Sequence, residues 1–257
     1  MFKEFFGYGG YTRVPEGAYS WQHLLFVGIV TIVMIGLAVY LGLRNKNKDE
    51  ATKNKVLVWA AILIDGFELL KLIIFATRAH SIATLRTNLP LFLCSIQLIT
   101  IPVAAFSKGR IKEAAMDFVV LFGILGGIAG TIGAAQNYNA YPVLAFDNVV
   151  SAITHNISAF SGLYIIISGL LTLKKENIWI VASILLTFIV LALLFNKILD
   201  YNYMFLRNHD GTPYVIFYNM VNGNKILYPI IVVLAFFAYG ALFYLIYHLI
   251  KKQKKAS

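Results

Sequence analysis

Seven stretches of predominantly apolar residues run through the chain, near 21–43, 56–76, 89–106, 113–135, 148–173, 178–196 and 226–250. Crossing a hydrocarbon core about 30 Å thick takes about twenty such residues in a helix, because only a helix or a closed barrel satisfies its own backbone in lipid. This spacing predicts an all-α fold: a polytopic membrane helical bundle of seven transmembrane helices in a single domain covering 1–257, a multi-pass protein of the cell membrane. Composition agrees: 13% of the residues are charged, against about 25% in soluble domains. The first stretch lacks the basic start and small-residue cleavage site of a signal peptide, so it is expected to remain as an anchor.

Orientation follows from counting Lys and Arg on alternate sides of the expected spans. One side holds fourteen, the other seven, and Lys71 lies inside a span, which accounts for all 22. The richer side is the cytoplasmic one, so the N-terminus is expected outside and the C-terminus inside. The net charge is +10, and nine of the 22 Lys and Arg sit in two short clusters directly beside apolar runs, Arg44 to Lys55 and Lys251 to Lys255. That pattern fits anionic lipid headgroups as partners rather than nucleic acid. The one cysteine, Cys94, excludes an internal disulfide and a multi-cysteine metal site. No cofactor motif stands out: there is no nucleotide-binding loop, haem motif or retinal-type lysine.

Charged groups inside spans are costly and normally pair or serve a pathway. The second stretch carries Asp65, Glu68 and Lys71, whose i, i+3, i+6 spacing sets them on one flank of a helix and lets Glu68 bridge to Lys71. In the third, Cys94 and Gln97 fall one turn apart on one face, after a Pro90 that starts the helix. The fourth carries Gly123, Gly126, Gly127, Gly130 and Gly133, a small-residue pattern that admits another backbone closely. The fifth displays Ser151, His155, Ser158 and Gly162 as a polar stripe flanked by Asn156. Asn202 and Tyr203 follow the sixth, in a loop rich in aromatic residues.

Depth links these groups. With the N-terminus outside, Lys71, Glu68, Cys94 and His155 all fall within roughly 7–12 Å of the external interface at 1.5 Å per residue. A cysteine, a histidine and a carboxylate at one depth are the parts of a thiol nucleophile, its general base and an orienting group. In that arrangement Cys94 is the nucleophile, His155 the base and Glu68 or Asp65 the orienting carboxylate. Gln97, Asn156 or Lys71 is then available to donate to a developing oxyanion. With Asp65, Lys71, Gln97, Ser151, Asn156, Asn202 and Tyr203 as substrate-binding candidates, the expected substrate is a membrane lipid and its acyl chain; no metal site is expected.

At these residues the chain resembles the YwaF-type bacterial integral membrane proteins, related to a eukaryotic transmembrane acyltransferase that remodels ether phospholipids. The resemblance rests on Leu89-Pro90-Leu91-Phe92-Leu93-Cys94, on His155 in a later span, and on Asn202-Tyr203-Met204-Phe205-Leu206. It implies a seven-helix membrane fold and acyl transfer through a thioester on Cys94 assisted by His155. The chain departs from it at Phe92, where a histidine is common. Two other readings stay open on the residues alone. One is a transporter using Asp65, Glu68, Lys71 and His155 as a solute or proton path; the other is a non-catalytic binding or assembly subunit.

Overall fold

The computed structural model describes residues 2–171 and 173–256. Thr172, inside the expected fifth span, and the side chains of Lys254 and Lys255 in the C-terminal basic cluster lie outside the described residues. Among the described residues the secondary structure is entirely helical. Eight longer helices follow one another: α1 (Trp21–Asn45), α2 (Glu50–Ala79), α3 (Gln97–Phe106), α4 (Gly109–Phe118), α5 (Ile124–Ile132), α6 (Phe146–Ser168), α7 (Ile178–Leu199) and α8 (Leu227–Ala256). A π-helical stretch, Val119–Gly123, joins α4 to α5. Five helical segments are long and apolar enough to cross a membrane: Trp21–Asn45, Gly109–Ala140, Phe146–Ser168, Lys175–Leu199 and Leu227–Gln253.

Local chemistry sets the helix ends. Ser20 caps α1 by accepting from the His23 amide, and Asp49 caps α2 by accepting from the Thr52 amide. His80, Gly169 and Asp200 adopt left-handed conformations that close α2, α6 and α7. The third apolar stretch departs from the expected continuous helix over 89–106, since α3 starts only at Gln97. Residues 92–96 form a bend and turns, in which the Ser95 hydroxyl accepts from the Phe92 amide at 3.0 Å and donates to the Phe92 carbonyl at 3.1 Å. A side chain that satisfies the backbone in this way competes with helical bonding. Pro90 just before it has no amide to donate.

The chain divides into two compact units, 1–170 and 171–257. In the first, α6 is central and packs against α1, α2, α5 and the π-helical stretch. Its inward surface is polar and small, with Asn148, Asn156, Ser158, Ser161, Gly162 and Ser168 all buried. The outward surface of α1 exposes Trp21, Leu25, Ile29, Ile32 and Val33. Polar groups inside and large aliphatic groups outside suit a lipid environment; in water so wide an apolar face would mark a binding site or an aggregation hazard.

At one end of this unit, Asn45 donates to the Tyr164 hydroxyl, which donates to the Lys53 carbonyl, while Asn54 donates to the Ala105 carbonyl. The other end is strapped by the N-terminal segment. Glu4 accepts from the amides of Thr12 and Arg13, Glu16 accepts from the Val143 amide, and the Ala18 amide donates to Asn139.

The second unit holds α7, α8 and the loop between them. Asn196 near the end of α7 accepts from the Tyr203 amide and donates to the Tyr203 carbonyl. Met204 and Phe205 follow in left-handed conformations, and the Tyr228 hydroxyl of α8 donates to the Phe205 carbonyl at 2.8 Å.

Candidate functional site

His155 sits on α6 one turn after Ser151, whose carbonyl lies 2.7 Å from the imidazole Nδ1 and whose hydroxyl lies 3.3 Å from it. A carbonyl only accepts, so the contact assigns the proton to Nδ1 in the neutral ring and leaves Nε2 as the acceptor. The Cys94 thiol, in the turns before α3, is a hydrogen-bonding neighbour of the His155 side chain. Both residues are partly buried.

The pair is backed by α5 together with Gly123, the last residue of the π-helical stretch before it, and the glycines of this continuous segment fall into two i, i+4 rows. Gly126 lies against Cys94: a Cβ there would come 3.2 Å from its Cα and 3.3 Å from its Cβ. Gly130 lies against the His155 ring. The other row, Gly123 and Gly127, meets the α6 backbone, with the Ser158 and His155 carbonyls 2.9 and 2.5 Å from the positions their Cβ atoms would occupy. Close packing and the site's geometry thus come from adjacent rows on one face of the helix, the first meeting the α6 backbone and the second meeting Cys94 and the His155 ring. The π-helical stretch just before it is of a kind often found beside functional sites.

From α2, Lys71 pairs with Glu68 at 2.6 Å, as their spacing predicts, and its ammonium group lies within electrostatic reach of both Cys94 and His155. Glu68 therefore meets the pair through Lys71; the His155 ring is oriented by the Ser151 carbonyl. Asp65 is exposed one turn earlier on α2 and has no ion-pair or hydrogen-bond partner among the described residues.

Gln97 is fully buried at the start of α3, its oxygen accepting from Thr100 at 3.0 Å and its Nε2 without a partner among the described residues. The Asn156 amide is engaged elsewhere, donating to the Thr131 hydroxyl and the Ala152 carbonyl. In the second unit, Tyr203 is buried and Asn202 organises its loop, accepting from the Arg207 amide and donating to Asn208 and Asp210. No group of three or more His, Cys, Asp or Glu able to hold a metal occurs among the described residues.

Sequence reasoning passed over the cluster above this site. Arg78 at the end of α2 grips Asp147 at the start of α6 with two hydrogen bonds, of 2.8 and 2.7 Å. Tyr11 of the N-terminal strap donates to the same carboxylate. Burial and the Asp147 carboxylate beside it push the Tyr11 phenol well above its ordinary range, so it remains a donor. Phe5 and Phe6 cover Phe146 next to it, with ring centroids 6.0 and 5.0 Å away. The one sequence signal for this cluster was a pair of opposite charges at the ends of two apolar stretches.

A protein-family model described as the TMEM164 family matches residues 18–247, a range that takes in Cys94, His155, the helices α1 to α7 and α8 as far as residue 247. No curated protein and no solved structure matches the chain.

Proposed function

The chain belongs to the TMEM164 family of membrane proteins, and on that premise we propose that it is a lipid acyltransferase in which Cys94 carries the acyl group as a thioester. The observation that carries this reading is the Cys94–His155 pair, with Nδ1 of His155 held on the Ser151 carbonyl so that Nε2 is the nitrogen available to the thiol.

The chemistry runs in two halves. Nε2 takes the thiol proton, the thiolate sulfur attacks the carbonyl carbon of an acyl ester, and a tetrahedral oxyanion forms. The ester C–O bond then breaks and the departing alkoxide takes the proton from the imidazolium, leaving the acyl group on sulfur. In the second half His155 accepts the proton of an acceptor hydroxyl, whose oxygen attacks the thioester. The C–S bond breaks, and the imidazolium returns its proton to the thiolate.

Lys71, tied to Glu68, supplies positive charge that favours the thiolate and the oxyanion. The buried Gln97 amide, which lacks a partner, is the proposed hydrogen-bond donor to that oxyanion. The exposed apolar faces of the surrounding helices make membrane lipid the natural source of both acyl donor and acceptor.

The test is a hydroxylamine-sensitive acyl group on Cys94 in native membranes. It is expected in the wild-type chain, absent in Cys94→Ala, and reduced by at least about a hundredfold in its rate of formation in His155→Ala, the usual weight of a general base. A wild-type chain that never acquires the acyl group, or that acquires it equally without His155, overturns the mechanism.

A further inference from the structure

We infer that Gly130 is a positioning residue for the Cys94–His155 pair: the space left by its missing side chain is where the His155 ring is set, an inference that rests on reading the pair as nucleophile and base.

The geometry at this position is closer than at any other described glycine. A Cβ added to Gly130 would come 2.0 Å from Cδ2 of His155, 2.2 Å from Nε2 and 2.8 Å from Cγ. Separations under 3.0 Å are essentially never seen for real Cβ atoms, so the ring edge that carries Nε2 rests directly on the α5 backbone. The ring has no small adjustment available, because Nδ1 is held 2.7 Å from the Ser151 carbonyl. Admitting a methyl group requires rotation about χ1 or χ2, and either rotation breaks the Ser151 contact or carries Nε2 away from the thiol.

The neighbouring glycines do different work. Gly126 backs Cys94 at 3.2 and 3.3 Å, a contact that a shift of a few tenths of an ångström relieves. Gly127 meets the His155 carbonyl and Ala159, so it sets the spacing of the helices rather than the ring. The groups facing the imidazole are then Ser151 from its own helix, Cys94 from the turns before α3, and Lys71 with its partner Glu68 from α2. Gly130 completes this enclosure as the wall that fixes the ring's rotation. At a lipid-facing position glycine would only weaken the helix, by about 1 kcal/mol relative to alanine in water; here its replacement strikes the proposed base.

The experiment compares wild-type, Gly130→Ala, His155→Ala, the Gly130→Ala/His155→Ala double variant, and Gly28→Ala, whose methyl meets open space. All are full-length chains in detergent, read by thermal unfolding and by the pH dependence of Cys94 alkylation with a small maleimide. The expected result is a Gly130→Ala alkylation rate near neutral pH about tenfold below wild type, with a pH profile that superimposes on that of His155→Ala. The double variant should be as stable as His155→Ala alone, because removing the ring makes room for the methyl, and Gly28→Ala should keep the wild-type alkylation profile with no loss of stability.

A Gly130→Ala chain that keeps the wild-type pH profile overturns the inference. Should Gly130→Ala fail to fold, the double variant decides: recovered folding supports the contact with the ring, and continued failure overturns it. A His155→Ala chain that alkylates as wild type does sinks the base reading instead. In that case the stability comparison alone decides for or against the Gly130–His155 contact.

Discussion

Asp147 is nearly fully buried and accepts from Arg78 twice and from Tyr11 once. Removing one partner of such a pair leaves an uncompensated charge, so Asp147→Ala is expected to cost about 3–5 kcal/mol. Tyr11→Phe removes one hydrogen bond to the carboxylate and should cost about 1.5–3 kcal/mol at most. Thermal unfolding in detergent checks both, and equal losses would mean that the strap rather than the ion pair holds this end.

Two carboxylates of the same strap set its response to acid. Hydrogen bonds from the Thr12 hydroxyl and from the Arg13 and Thr12 amides hold the Glu4 carboxyl below its usual range. Burial pushes the Glu16 carboxyl up, yet the Val143 amide, its own amide and Arg13 together hold it below that range as well. A depressed folded pKa gives stability that is present above the unfolded value and is lost as pH falls through the folded one. Protection of the Thr12, Arg13 and Val143 amides, measured against the intrinsic exchange rate at each pH, should therefore be high at neutral pH and fall below about pH 4. Protection that persists well into acid would contradict this.

At the scale of the element, α5 illustrates how one short helix serves two purposes. Its Gly127, in one row with Gly123 of the preceding π-helical stretch, lets the α6 backbone approach, so Gly127→Ala forces the helices apart and should cost about 1–3 kcal/mol of stability. Gly36→Ala, on an α1 face with nothing within 4 Å of the added Cβ, should lose no stability and gain up to about 1 kcal/mol from helix propensity. Unfolding midpoints measured side by side distinguish packing from simple helix propensity. The stretch before α3 shows the complementary case. Apolar content made residues 89–96 look like the first turns of a span, but Ser95 rebinds the Phe92 backbone and the segment turns instead. Those turns carry Cys94 to its neighbour, which a helix extended by pattern alone need not have done.

For the whole molecule, the expected seven-span topology makes a prediction that single-cysteine labelling checks in a chain with Cys94 replaced. Cysteines at Lys48, Lys108 and Lys252 should label from the cytoplasmic side, and one at Thr12 from the outside. Labelling of Lys48 and Thr12 from the same side would overturn the topology within the first unit, where the basic turns and the N-terminal strap lie at opposite ends of the helices. Five helical segments meet the length and hydropathy needed to span. The two further expected spans differ for physical reasons: α2 carries Asp65, Glu68 and Lys71 in its apolar run, and α3 is 10 residues long.

The sequence by itself determined that this is a helical membrane protein, where most of its helices run, and that Glu68 and Lys71 pair. Each of these depends on hydropathy or on spacing within one helix, where neighbours in sequence are neighbours in space. It also picked out Cys94 and His155 as chemically notable. Their meeting, the Ser151 carbonyl as the group that orients the ring, the division of α5 into two glycine rows, and the Arg78–Asp147–Tyr11 cluster were decided only by the tertiary structure. These contacts join residues far apart in the chain, and which face of each helix turns toward which neighbour is fixed by packing, a property that no local pattern encodes.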